Sequence, residues 1–282
     1  MKVILLGTGG PRPDPNRAAS TTLIRLGEEN ILFDSGRGVV LQLVKAGVPL
    51  HRVNPVFITH HHFDHIGDLY DVMLASWMHG RKEALRIYGP PETRRIVDAL
   101  LTQVYDKDWQ WRSTGEPSFG GWKPIVATDI APGATVEGEG WKVTPYRVCH
   151  GDGLGFPAAF LQRWTCFGYR FEAEGKVVAI SGDTVDCEGL AQLAQDADVL
   201  VHCCYMASAE IENEHFRRVV EHTLAAGDTV GKIAARARAK TLVLTHHRPR
   251  RDERYLEVLA EEVARDFSGR IVVGRDLTEV EV

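Results

Sequence analysis

An α/β fold is predicted by three features of the chain. Short β-branched runs, at residues 2–6, 55–58, 176–180 and 241–245, alternate with segments whose apolar residues recur at helical spacing, such as Val39, Val40, Leu43 and Val44. Several of the runs lead straight into His or Asp, at the strand ends where open α/β sheets build their sites. A length of 282 residues, 44% hydrophobic and 25% charged, suits one large soluble domain.

Residues 2–6 read as an opening strand. The stretch Gly7-Thr8-Gly9-Gly10-Pro11-Arg12-Pro13-Asp14-Pro15 cannot continue either regular structure. It lacks the Lys-Ser/Thr pair of a P-loop and a following helix, so it reads as a loop and not a phosphate cradle. Residues 21–26 and 31–34 form a hairpin over Gly27-Glu28-Glu29-Asn30. Asp34-Ser35-Gly36 opens a helix through Val39 and Leu43 that Gly47 stops. The strand at 55–58 follows, then a helix through Leu69, Val72, Met73 and Ser76. Residues 85–88 form a strand and 92–105 a helix behind Pro90-Pro91.

From about 106 to 124, Trp109, Trp111, Phe119 and Trp122 sit among Gly, Pro and Ser with no clear period. This reads as an irregular insertion whose aromatics plug a core or wall a pocket. Strands are expected at Val136, Val143 and Val148, at 167–172, at 176–180 and at 198–202. Helices run through Leu190 and Leu193, then from near Asp228 through Val230, Ile233 and Ala234. The strand at 241–245, a helix over 254–267 and a strand at 271–273 close the chain. No repeat, low-complexity tract or linker divides it, so a single domain over 1–282 is expected.

A net charge of −5 exerts no global pull toward nucleic acid or an anionic membrane. The N-terminal apolar run is too short for a secretory leader, and no stretch approaches the ~20 apolar residues of a membrane span. Five Cys without a framework of spacings read as free thiols in a reducing cytoplasm.

The organising residues are Thr59-His60-His61-His62-Phe63-Asp64-His65-Ile66-Gly67-Asp68, placed directly after the strand at 55–58. Protonated imidazoles packed this closely would repel, and a cation removes that cost by binding them neutral. The competing reading is a solvated His-rich loop. His60, His62, Asp64 and His65 are therefore candidate ligands of one or two ions.

His60-x-His62-x-Asp64-His65 resembles the signature of the metallo-β-lactamase superfamily of metallohydrolases. The resemblance implies a four-layer αββα sandwich and two divalent metal ions, with zinc favoured and Mn or Fe admitted. It also implies His60, His62 and His150 on one ion, Asp64, His65 and His246 on the other, and Asp183 bridging. Asp64 and Asp183 are then catalytic as well as ligating, and a hydroxide shared by the ions attacks the ester. His61 and His247, beside ligands, should point away, and Asp68 is a candidate partner for a ligand imidazole.

Within the superfamily, residues 198–202, His222-Thr223 and Leu244-Thr245-His246 resemble arm-less relatives of tRNase Z, the branch of arylsulfatases and small phosphodiesterases. There a His some twenty residues before the last ligand is the general acid, as His222 would be here. The plainer reading makes His222 an exposed helix-start residue. Two departures stand out. His202-Cys203-Cys204-Tyr205 replaces the family's His-Glu-Ala-Thr, so the Glu that orients the acid is missing, and Arg248 stands where Ser or Thr is usual.

The cluster Arg248-Pro249-Arg250-Arg251 reads either as a solvated helix entry or as an anion-binding group, and Arg248 is the candidate for an anionic substrate, with Trp77, Trp109, Trp111 and Tyr205 as candidate pocket residues. His150 and Asp183 are too close in sequence to hold a long tRNA-binding arm. A small ester is therefore the expected substrate: a phosphodiester, aryl sulfate, carboxylic ester or lactone. Nucleic acid and membrane are not expected as partners, and a homodimer is admitted. The alternatives are a tRNase Z-type 3′-processing endoribonuclease and a non-catalytic metal-binding module. All seven ligand positions are filled, which disfavours the latter. Flavo-diiron oxidoreductases carry Glu at the position of His62.

Overall fold

The computed structural model describes residues 1–116, 121–249 and 254–282. The strands in chain order are β1 (Lys2–Gly7), β2 (Thr21–Leu26), β3 (Glu29–Phe33), β4 (Val53–Phe57), β5 (Leu85–Gly89), β6 (Ile125–Asp129), β7 (Val136–Gly138), β8 (Trp141–Val148), β9 (Cys166–Ala173), β10 (Lys176–Ile180), β11 (Val199–Cys203), β12 (Thr241–Thr245), β13 (Arg270–Val273) and β14 (Thr278–Glu281). The α-helices are α1 (Val39–Lys45), α2 (Phe63–Ile66), α3 (Leu69–Met78), α4 (Thr93–Ala99), α5 (Asp106–Gly115), α6 (Ala158–Leu161), α7 (Glu188–Ala194), α8 (Glu214–His222), α9 (Gly227–Arg236) and α10 (Tyr255–Ala264). The chain divides into two compact units, neither of them contiguous in sequence.

The first unit comprises Met1–Gly7, Arg17–Ile130 and Asp276–Glu281. Its sheet runs β14-β1-β2-β3-β4-β5-β6. The hairpin of β2 and β3 turns at Gly27, whose φ of 55° a residue without Cβ adopts freely. Pairing is antiparallel as far as β3 and parallel from β3 to β6, so helices must cross over between the later strands. Ile4, Leu6, Leu32, Val56, Ile58, Met73 and Ile87 are wholly buried in its core, and each contributes about 2 kcal/mol of transfer free energy.

The second unit comprises Thr8–Asn16 and Ala131–Arg275, with Val282. Its sheet runs β13-β12-β11-β10-β9-β8-β7, antiparallel from β7 to β10 and parallel from β10 to β13. Leu190, Leu193, Val230, Ile233, Leu259 and Val263 from α7, α9 and α10 pack on Leu200, Leu242 and Leu244. The carboxyl ends of β10, β11 and β12 are thus neighbours, and they lead to Asp183, His202 and His246.

Several parts of the chain differ from the sequence expectation. The helix expected over 92–105 is α4 followed by a π-helical stretch, Leu100–Val104. The insertion at 106–124 begins with α5 and not with irregular chain. Asp106 and Asp108 favour its N-terminal dipole, and Asp108 pairs with Arg112 one turn on at 2.9 Å, charge signals that the scattered Trp obscured. Residues 117–120 of that insertion lie outside the described residues. β14 also escapes sequence reading, because Thr-Glu-Val-Glu is an edge strand held partly by charge, with Lys2 2.8 Å from Glu279 and 3.2 Å from Glu281. Among the described residues no helix is long and apolar enough to cross a membrane.

Candidate metal centre

In the first unit the donors follow β4. His60 Nε2 and His62 Nδ1 lie 3.0 Å apart. Two nitrogens bound at ~2.0–2.1 Å to one tetrahedral zinc are separated by about 3.3 Å, so this is the spacing of co-ligands. The one-turn helix α2 carries Asp64 and His65, with the Asp64 carboxylate 3.6 Å from His65 Nε2. The His60 and His65 ring centroids are 4.1 Å apart. His60, Asp64 and His65 are buried, whereas His62 is exposed.

Asp34, at the end of the neighbouring strand β3, orients two of these imidazoles. Its carboxylate accepts from the Thr59 amide at 2.7 Å, the Thr59 hydroxyl at 2.8 Å and His65 Nδ1 at 2.7 Å. The Thr59 oxygen in turn lies 3.1 Å from His60 Nδ1. With the proton on Nδ1 in both rings, the Nε2 lone pairs are presented for a metal. The backbone keeps this arrangement, since Ser35 donates its N–H to the His65 carbonyl at 2.7 Å and Asp68 donates to that of Ser35 at 3.0 Å. Asp34 itself has φ 65°, the left-handed region that Asp visits at a cost.

Asp68, expected to serve a ligand imidazole, instead accepts from the Gly38 amide at 2.5 Å. The orienting carboxylate is Asp34, which sequence reading assigned to a helix start. His61 points away, as expected: its Nε2 is 2.8 Å from Thr93 Oγ1, and burial lowers its pKa to about 4.

In the second unit three strands deliver the donors. Asp183 Oδ2 stands 3.2 Å from His246 Nε2 and 3.9 Å from His150 Nε2, between the two imidazoles. His150 Nδ1 is fixed by the Thr223 carbonyl at 2.7 Å, again leaving Nε2 as the donor. His246 has φ 60° and is backed by Gly10, where an added Cβ would come within 2.8 Å of the imidazole Cε1. The glycine-rich loop is therefore a close-approach segment. Gly9 bridges to His247, whose amide donates to the Thr8 carbonyl at 2.8 Å, and His247 Nε2 turns away to the Gly274 carbonyl at 3.1 Å.

His222 ends α8, a helix the sequence reading missed, so the helix-start alternative is replaced by a helix-end position. Its carbonyl accepts from the Gly151 amide at 2.6 Å, and its ring packs on Gly153, where a Cβ would lie 2.2 Å from Nδ1. The loop after β8 thus holds both His150 and His222. Arg248 stacks its guanidinium 4.1 Å over the Phe216 ring and bonds through its amide to the Tyr205 carbonyl. The Tyr205 ring is 6.2 Å from that of His246. Arg250 and Arg251 lie outside the described residues.

The assignment of Trp77 needs correction. Trp77 is wholly buried, donates from Nε1 to the Gly121 carbonyl at 2.7 Å, and packs on Trp122, which also meets Trp109. It is core, and its ring has no surface to offer a substrate. Trp109 is half-buried with Nε1 bonded to the Leu101 carbonyl, and Trp111 is 65% exposed. All five cysteines are free, as expected.

Each donor set, imidazoles joined by carboxylates and oriented from behind, fits a divalent metal of the zinc class. Residues 29–247 match the Beta-lactamase superfamily domain. A Mycobacterium bovis protein named ribonuclease Z is 33% identical over 287 residues, covering all of this chain and 98% of the relative. Among solved structures, the metallo-β-lactamase fold protein YhfI from Bacillus subtilis superimposes with a TM-score of 0.76 at 21% identity, over 99% of this chain and 98% of that one. The short form of human tRNase Z gives 0.72 at 24% identity, over 100% and 99%.

The fold is the metallo-β-lactamase α/β sandwich, two mixed sheets flanked by helices. The chain belongs to the β-lactamase superfamily and is a metal-dependent hydrolase acting on ester bonds. One expectation is overturned here. Overall charge and the missing arm argue against nucleic acid, yet a relative that aligns along the whole chain is a ribonuclease by name. A net charge of −5 sums the entire surface and does not describe the part that meets substrate.

Proposed function

We propose that this chain is a ribonuclease Z-type endoribonuclease that hydrolyses a phosphodiester at the 3′ side of precursor tRNA. The observation that carries the reading is the 33% identity to a ribonuclease Z over the full chain. The two oriented donor sets support it chemically. In this reading His60, His62 and His150 would hold one ion, Asp64, His65 and His246 the other, with Asp183 available to both.

Divalent ions held there, zinc foremost, would supply water activated near neutral pH and positive charge opposite the phosphate. The chain's own groups do the rest. Asp34, Thr59 and the Thr223 carbonyl keep the protons of His65, His60 and His150 on Nδ1. The Asp64 and Asp183 carboxylates accept hydrogen bonds from the attacking water. His222, held by Gly151 and Gly153, gives a proton to the departing 3′-oxygen. Arg248, steadied on Phe216, offers a fork of N–H groups to phosphate oxygens. Five free thiols suit work in a reducing compartment such as the cytoplasm.

The test is incubation of the zinc-loaded protein with an end-labelled precursor tRNA bearing a 3′ trailer. The expected result is one endonucleolytic cut that stops on chelation and returns with metal. Hydrolysis of bis(p-nitrophenyl) phosphate with no cut in any precursor would overturn it.

A further inference from the structure

Between β8 and β9 lies a segment that none of the proposed catalytic roles uses. Phe156, Phe160 and Trp164 are spaced four apart, on α6 and the turns that flank it, and Trp164 continues the helical bonding by donating its amide to the Phe160 carbonyl at 2.9 Å. Their rings form a row. Phe156 and Phe160 have centroids 4.8 Å apart, and Phe160 and Trp164 are stacked at 5.5 Å with planes 19° apart. The row ends on a proposed ligand: the Trp164 ring lies 6.3 Å from that of His150, and its Nε1–H donates to the His150 carbonyl at 2.9 Å. At the far end Phe156 and Phe160 remain 41% and 40% exposed.

Single exposed aromatics are ordinary, but a run of rings leading from solvent to a metal ligand is not scattered exposure. The same loop carries Gly151 and Gly153, which hold His222. The row is therefore fixed to both the ligand and the proton donor of the second unit. From this geometry we infer that Phe156, Phe160 and Trp164 form a stacking surface for the unpaired nucleobases next to the scissile phosphodiester. The inference rests on the ribonuclease reading. Every base presents a π-face, so the surface would bind single-stranded RNA without demanding a sequence, and the long arm that grips folded tRNA would not be needed for this contact.

The experiment compares the zinc-loaded wild type with the Phe156→Leu/Phe160→Leu double variant, which keeps apolar bulk and removes the rings. Each receives two precursor tRNAs, one intact and one with abasic residues in place of the unpaired nucleotides flanking the cut. The expected result is a KM for the intact precursor raised about tenfold or more in the variant, with the abasic precursor showing equal KM in both proteins. A Phe156→Tyr/Phe160→Tyr variant should restore the wild-type KM. Equal KM for the intact precursor, or equal losses on both precursors as a merely structural or partner-binding surface would give, overturns the inference alone. A wild type that cuts no precursor overturns the ribonuclease reading and the inference with it.

Discussion

The Asp34 carboxylate and His65 Nδ1 lie 2.7 Å apart, and through Thr59 the same carboxylate reaches His60. One acid at the end of β3 thus sets the tautomer of two candidate ligand imidazoles that follow the adjacent strand β4. Asp34→Asn keeps a side chain that tolerates φ 65° but takes away the negative charge. Metal affinity should drop about 10- to 100-fold by competition with a chromogenic chelator, with the thermal midpoint of the metal-free protein little changed. Wild-type affinity in this variant would remove Asp34 from the account.

Gly10 and His246 make a second prediction. A methyl at Gly10 cannot fit with His246 Cε1 at 2.8 Å, so Gly10→Ala must push the imidazole aside. The expected outcome is preferential loss of the ion bound through His246, leaving about one per chain instead of about two. Unchanged stoichiometry and activity would show that the loop gives way at no cost.

Much of the candidate site was legible in sequence because its first four candidate donors fall within six residues, directly after an apolar strand. Asp34 was not, since an Asp after a strand is common and its partner comes 31 residues later. Nor was the reason for Gly10, because its contact with His246 joins the two ends of the chain. Trp77 was misread for the opposite reason. It lies in α3 among Val72, Met73 and Ala75, where a buried Trp is ordinary core, and the neighbouring Trp cluster drew it toward a pocket. The fold class was clear from strands and helices in alternation, whereas β14 and α5 rest on charge pairing that hydrophobic periodicity does not register.

His202 at the end of β11 is fully buried, and burial lowers its pKa from 6.5 to about 4 against the weaker opposing effect of its bond to the Cys203 carbonyl. The folded chain therefore refuses a proton that the unfolded chain accepts between those two values. This stability is complete above about pH 6.5 and declines as pH falls toward 4. From this group alone the protein should be about 2 kcal/mol less stable at pH 5 than at pH 7. Urea unfolding at both pH values should show that difference shrinking in His202→Asn. An identical pH dependence in the two proteins would sink the assignment.

His222→Ala should lower kcat on precursor tRNA about 100-fold or more while leaving metal content at the wild-type level. A substrate whose leaving group needs no proton, such as a p-nitrophenyl ester, should be much less affected. Equal losses on both substrates would assign His222 to holding the loop at Gly151 and Gly153 and not to proton transfer.

The most direct measurement is elemental analysis of protein purified without chelators, wild type beside Asp183→Ala. About two transition-metal ions per wild-type chain, and a clear loss in the variant, are the predicted result. No bound metal in the wild type, or an unchanged content when the Asp183 carboxylate is gone, would contradict the proposed seven-residue centre.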